Sequence, residues 1–188
     1  MQGERGRVDD HGPQAGVLAG SREVIGTLRK HPLLRALRPD KLTLATLLAT
    51  LELYRDGRTA EIPTQRLIAA GPAELRARAE KLQQLCAAAG VEVAVVATRS
   101  AVGGGSLPLL QLPSFAVALP AGAALAAGEP DPLARRLATA LRHGEPAVVA
   151  RLAAGRLLCD VRAVLDDAEL GQLAVALAQA FRSVRAGA

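Results

Sequence analysis

The stretch GPAELRARAEKLQQLCAAAGVEVAVV, residues 71–96, changes its hydrophobic period once, and that change decides the fold class. Pro72 falls in the first turn of a helix, where a missing N–H leaves no bond unmade. Leu75, Ala79, Leu82, Cys86 and Ala89 then step by three and four, the stripe of a helix with one buried face. Gly90 supplies the stop. Val91-Glu92-Val93-Ala94-Val95-Val96 follows as a β-branched run, a strand by composition and length. A helix feeding directly into a strand calls for helices layered on a sheet.

Downstream the pattern continues. Ser114 to Leu119 reads as a second strand. Asp131 and Pro132 open a helix with Leu133, Leu137 and Leu141 on one face, closed by Gly144. Ala147 to Leu152 and Arg156 to Val161 read as strands joined by the three-residue turn Ala153-Ala154-Gly155, a hairpin by loop length. Asp166 with Glu169 approximates a capping box, and Leu170, Leu173, Leu177 and Phe181 mark the buried face of a closing helix. Upstream, Gln14 to Gly20 reads as a strand, and Ser21 caps a helix reaching about Lys30. Between Lys41 and Arg55 apolar residues run nearly all round, sparing only Thr43, Thr46 and Thr50, which predicts a helix buried between layers. The fold class is α/β in the broad sense, specifically an α+β small domain with helices packed on a small sheet.

Composition narrows the functions open to such a chain. Half of the residues are hydrophobic and 22% are charged, a globular balance. Aromatic residues make up only 2%, so stacking of bases on exposed rings is nearly excluded. The net charge of +5 comes from arginine, since Lys30, Lys41 and Lys81 are the only lysines. Dispersed arginine suits either a solvated surface or an anionic partner. Cys86 and Cys159 are far apart and lie in no CxxC or Cys/His cluster, and His11, His31 and His143 share no ligand spacing. No metal site is expected. The residues before Pro13 read as a disordered or unrelated leader with no signal-like core, and no later apolar run reaches membrane-spanning length. These features predict a cytoplasmic chain that does not enter the membrane.

Two motifs carry possible chemistry. Gly103-Gly104-Gly105-Ser106 lies between two strands, where it is either a flexible turn or a place for backbone to approach a ligand closely. It is no P-loop, for no Lys-Ser/Thr follows. In His31-Pro32-Leu33-Leu34-Arg35-Ala36-Leu37-Arg38-Pro39-Asp40-Lys41, two guanidinium groups stand three residues apart, which in a helical turn sets both on one side. Such a pair either clamps a phosphate or carboxylate through forked bonds or is simply solvated.

Four segments carry a resemblance: Gly12-Pro13-Gln14-Ala15-Gly16, then Arg35 to Ala45, then Glu61-Ile62-Pro63, then Ser100 to Pro108. In order and approximate spacing they resemble bacterial selenocysteine synthase, the L-seryl-tRNA(Sec) selenium transferase family, over roughly residues 12 to 183. The resemblance implies the C-terminal small domain of a fold-type-I pyridoxal-phosphate transferase with a remnant of its large domain. The family converts seryl-tRNA(Sec) to selenocysteinyl-tRNA(Sec) with selenophosphate, its cofactor serving as electron sink, in a ring-shaped homodecamer. Domains expected from it are a non-homologous leader 1–11, a remnant of the cofactor-binding domain 12–40, an interdomain helix 41–55 and the small domain 56–186.

By position, Arg35 and Arg38 look like the family's arginines that bind the anionic substrate, and Gly12 and Gln14 fall beside the cofactor, just after the lysine that carries it. Here Val8 stands at that lysine's place. No lysine replaces it, so no catalytic residue is assigned and the chain alone is expected to be inactive. Three readings follow: a truncated or frame-disrupted selenium transferase, a stand-alone α+β anion-binding module, or a non-catalytic subunit that joins RNA or a full-length partner.

Overall fold

A computed structural model describes residues 16–102, 109–119 and 131–186. Helices α1 (Arg22–Leu28), α2 (Leu33–Ala36), α3 (Lys41–Arg55), α4 (Pro63–Ala69) and α5 (Pro72–Ala88) come first, then strands β1 (Ala94–Ala101) and β2 (Gln111–Ala118). Helix α6 (Pro132–Arg142), the hairpin of β3 (Arg151–Ala153) and β4 (Arg156–Asp160), and helix α7 (Asp167–Ala186) complete the order. The four strands form one sheet in the order β1-β2-β4-β3, with β4 antiparallel to both of its neighbours. Helices on a small sheet are the α+β class expected.

The chain divides into two units, Met1–Arg66 with Ala101–Leu110, and Leu67–Ser100 with Gln111–Ala188. The second unit holds the core. Leu75, Leu82 and Cys86 of α5, Leu137 and Leu141 of α6, and Leu170 and Leu177 of α7 close over Val117, Leu119, Leu157 and Cys159 on one face of the sheet. Strand alternation explains the selection, because residues 115, 117 and 119 point one way and 114, 116 and 118 the other. Helix α5 ends as the sequence predicts. Gly90 takes φ +78°, its N–H donates to the carbonyl of Ala87, and the N–H of Val91 donates to that of Cys86, a Schellman motif.

That motif also corrects a boundary. The first strand, expected over 91–96, begins at Ala94. Val91 is held by the helix end, and Gln83 Nε2 donates to the Val93 carbonyl at 2.8 Å, which occupies the ladder group of that residue. The second strand starts earlier than expected, at Gln111. The strand expected over 147–152 shrinks to Arg151–Ala153, because the N–H of Val148 donates to the carbonyl of Leu141 at the end of α6 rather than to a neighbouring strand.

The hairpin turn holds two residues, not three. Ala153 pairs with Arg156, leaving Ala154 at φ 50° and Gly155 at φ 73°, both left-handed as a type I′ turn requires. At α7, Asp166 Oδ1 accepts from the N–H of Glu169 at 2.9 Å, as the capping reading expects, while Glu169 Oε2 reaches back to the N–H of Leu165 at 2.6 Å.

The first unit is built differently. None of α1, α2, α3 and α4 contains a buried residue. Residues 16–20 form no strand, which corrects the expectation for the described part of Gln14–Gly20. The apolar helix α3 forms where predicted but is not buried, with Leu44, Leu48 and Leu51 each about half exposed. Its threonines face their own backbone: Thr46 Oγ1 donates to the Leu42 carbonyl and Thr50 Oγ1 to that of Thr46, both at 2.9 Å.

Candidate functional site

The anion-binding reading rests on residues 21–41. Ser21 Oγ accepts from the N–H of Val24 at 3.3 Å and starts α1, whose C-cap is Arg29. Pro32 opens α2, and His31 Nδ1 accepts from the N–H of Leu33 at 3.2 Å. Arg35 is the third residue of α2. Arg38 lies beyond the helix, which stops at Ala36 with Leu37 at φ −93°, ψ 5°. The residue before a proline is disfavoured in helical conformation, so Pro39 forces Arg38 out. The shared helical face inferred from the three-residue spacing is therefore not formed, and Pro39 was the signal against it. Both arginines are exposed. Gly12, Gln14 and the Gly103–Ser106 loop lie outside the described residues.

Charge in this segment is one-sided. Between Arg22 and Lys41 stand six cations, Arg22, Arg29, Lys30, Arg35, Arg38 and Lys41, against Glu23 and Asp40. Asp40 is committed to the helix it caps: its Oδ1 accepts from the N–H of Thr43 and its Oδ2 from Thr43 Oγ1, both at 2.9 Å. The backbone bond from Thr43, then the hydroxyl bond, hold its carboxyl below the ordinary aspartate value. Among the described residues the ion pairs involve other cations, namely Arg55 with Asp56, Arg58 with Glu61, Arg76 with Glu80, Arg78 with Glu74 and Lys81 with Asp167. Arg35 and Arg38 thus present guanidinium groups to solvent without a carboxylate, the state in which an external phosphate meets no competitor.

Pyridoxal phosphate, which the resemblance implies, requires an amine held at its aldehyde. Lys81 Nζ lies 2.7 Å from Asp167, and Lys30 and Lys41 are exposed. A lysine that forms a Schiff base is normally desolvated so that its amine is neutral. The described residues do not fit covalent attachment of that cofactor. Among them, moreover, no three His, Cys, Asp or Glu side chains gather as a metal site would need. Burial pushes the thiol of Cys86 up to about 11 and that of Cys159 to about 12, so neither is a nucleophile at neutral pH.

The second unit holds a polar cluster that the sequence reading did not find. Asp160, at the end of β4, accepts from Ser100 Oγ, from Ser114 Oγ at 2.6 Å and from the N–H of Arg162 at 3.0 Å. Arg162, only 7% exposed, donates from Nη1 to the carbonyls of Leu67 and Ile68 at 2.7 and 3.1 Å and from Nη2 to that of Pro113 at 2.7 Å. On the same face of the sheet, Arg151 donates to Thr98 Oγ1 and to the carbonyl of Arg99, tying edge strand β3 to edge strand β1. The available signal was Ser114 and Asp160 within strands, on the face away from the helices, where a polar group that loses water demands a partner. Ser100, Ser114 and Asp160 satisfy one another, and Arg162 leaves only its Nε without a partner, so the cluster fastens the fold. A separate cleft of about 270 Å³ between α6 and α7 is rimmed by His143, Glu145, Gln179 and Ser183. His143 is the C-cap of α6.

An α+β core domain joined to a cation-rich, coreless helical segment is the class of protein these features define. A sequence model of the L-seryl-tRNA selenium transferase (SelA) family matches residues 10–165, and the chain belongs to that family. It is 44% identical over 175 residues to the L-seryl-tRNA(Sec) selenium transferase of Moorella thermoacetica, covering 90% of this chain and 35% of that protein. The protein of the same name from Geotalea daltonii is 42% identical over 171 residues, covering 88% and 35%. That from Aquifex aeolicus is 37% identical over 158 residues, covering 83% and 33%. The chain therefore spans about a third of the length of these relatives.

Proposed function

We propose that this chain corresponds to the C-terminal part of an L-seryl-tRNA(Sec) selenium transferase, in which Arg35 and Arg38 hold the anionic selenium donor or phosphate. On this reading residues 12–40 belong to the cofactor-binding domain, 41–55 link the domains and 56–186 are the small domain. The whole enzyme would use pyridoxal phosphate and selenophosphate to convert seryl-tRNA(Sec) to selenocysteinyl-tRNA(Sec) in the cytoplasm, as a homo-oligomer. This chain's contribution would be electrostatic positioning, since two guanidinium groups without carboxylate partners bind an oxyanion through charge-assisted bonds.

One observation supports the reading: among the described residues, Arg35 and Arg38 form no ion pair, and they lie within the stretch matched by the family model. Calorimetric titration of the chain with phosphate and with selenophosphate tests it. Arg35→Ala or Arg38→Ala should weaken binding by about ten-fold or more, the worth of one charge-assisted bond. Unchanged affinity in both variants would remove the arginines from the assignment. Because Val8 stands where the family's lysine belongs, the chain supplied with pyridoxal phosphate should leave seryl-tRNA(Sec) unconverted. A second reading, a stand-alone anion-binding module or non-catalytic subunit, is favoured by the self-contained core of the second unit.

A further inference from the structure

The helical turn that carries Arg35 is shared with His31, not with Arg38. The carbonyl of His31 accepts from the N–H of Leu34 at 3.0 Å and that of Pro32 from the N–H of Arg35 at 3.1 Å, so the turn is continuous from residue 31 to residue 35. Side chains four apart on such a turn are neighbours. Arg38 has no corresponding place, since α2 has already ended at Ala36. The bonding of the imidazole also settles where its proton lies. A backbone N–H can only donate, so the ring nitrogen that faces the N–H of Leu33 at 3.2 Å, Nδ1, is the acceptor and carries no hydrogen. In the neutral ring the proton is then on Nε2, which becomes a donor. Nε2 has no partner among the described residues, and neither has the guanidinium of Arg35 or of Arg38. All three side chains are exposed, so a ligand from solvent can reach them.

We propose that His31 is a further binding residue of the anion site: with its ring held by the Leu33 bond, it gives the Nε2 hydrogen to one oxygen of a phosphate group while Arg35 takes others. The inference rests on the reading above that the arginines hold an anion, and it narrows the ligand to a tetrahedral oxyanion. A carboxylate offers two oxygens, which one guanidinium fork fills by itself, whereas a phosphate keeps a further oxygen for the imidazole. The arginines contribute charge. The neutral imidazole contributes direction, because its one free N–H is aimed by the bond that its other nitrogen makes.

The test is calorimetric titration of the full 188-residue chain with inorganic phosphate at pH 8, using two substitutions that separate the two ring nitrogens. Asn sets an acceptor oxygen where Nδ1 stands, so His31→Asn keeps the bond from Leu33 and removes the outer donor. Gln carries an amide N–H as far out as Nε2, so His31→Gln keeps the donor and gives up the bond from Leu33. Phosphate affinity should fall by about three- to ten-fold in His31→Asn, the worth of one neutral hydrogen bond, and by less in His31→Gln. A histidine that only caps α2 would give the reverse order. That order, or equal affinity in the parent and both variants, would overturn the proposal. The nitrogen-15 shifts of the imidazole give a second measurement: the proton should sit on Nε2 in the free chain, and the Nε2 resonance should move as phosphate is added. A proton found on Nδ1, or a ring that does not respond to phosphate, would overturn it equally. Both variants should melt as the parent does, since His31 is exposed and α2 buries nothing. Arg35→Ala separates this inference from the reading beneath it. Where that variant weakens phosphate binding and His31→Asn does not, the arginine assignment stands and the role of His31 falls; where neither arginine variant changes the affinity, both fall.

Discussion

Replacing Arg162 probes the joint that holds the second unit together. Its guanidinium gives three bonds to main-chain carbonyls, of Leu67, Ile68 and Pro113, at 2.7 to 3.1 Å. A bond from a charged donor contributes about 1.5–3 kcal/mol net. Two effects reduce the total. Burying the cation carries a desolvation penalty, visible in the downward shift of its pKa, and Nε finds no partner. Pro113 is exposed and Leu67 and Ile68 are half-buried, so water can reach the orphaned carbonyls. The expected loss for Arg162→Ala is therefore about 2–4 kcal/mol, below the sum of the three bonds. Arg162→Lys keeps the charge but replaces the fork with one ammonium, and should lose about 1–2 kcal/mol. Urea unfolding followed by far-ultraviolet circular dichroism measures both, with a lowered midpoint at constant slope. Arg162→Met as stable as the parent would refute the reasoning, showing that desolvation cancels all three bonds.

Ala154 takes φ 50° in the hairpin turn, so Ala154→Gly or Ala154→Asn should stabilise by about 0.5–1 kcal/mol, read as a rise in melting temperature. Gly155→Ala should cost about 1–2 kcal/mol by the same argument. Cys86 and Cys159 should resist a thiol reagent at pH 8 in the native chain and both react in denaturant, since burial keeps their protons on. Rapid native labelling of either would mean the core opens freely. Asp40 has its folded pKa depressed, so its cap on α3 is fully present above the ordinary aspartate value of about 3.9 and is lost as pH falls through the lower folded value. The Thr43 amide resonance should follow that titration, and Asp40→Asn should flatten it.

Much of the fold was legible because its signals are local. The step pattern of Leu75, Ala79, Leu82 and Cys86 marks a buried face by itself, and Gly90 and Asp166 mark helix ends through chemistry confined to a few residues. Strand edges were less legible, since pairing is set across the chain. Val148 looks like a strand residue until the end of α6 takes its N–H. The exposure of α3 in this chain has a related cause: an apolar helix announces that it must be covered, not by what. Arg35 and Arg38 were visible as residue types, but their relative placement depended on Pro39. Arg162 left no trace in the sequence, because its three acceptors come from segments more than forty residues away.

The bond from Arg151 of one edge strand to Thr98 of the other carries an evolutionary consequence. The strands between them show Ala116, Ala118 and Leu158 on that face, all buried, and two side chains no bigger than methyl keep the face shallow enough for the guanidinium to cross. Positions 98, 116, 118 and 151 should then drift as a set in lineages of this domain, a bulkier residue at 116 or 118 appearing only where 151 has already given up arginine.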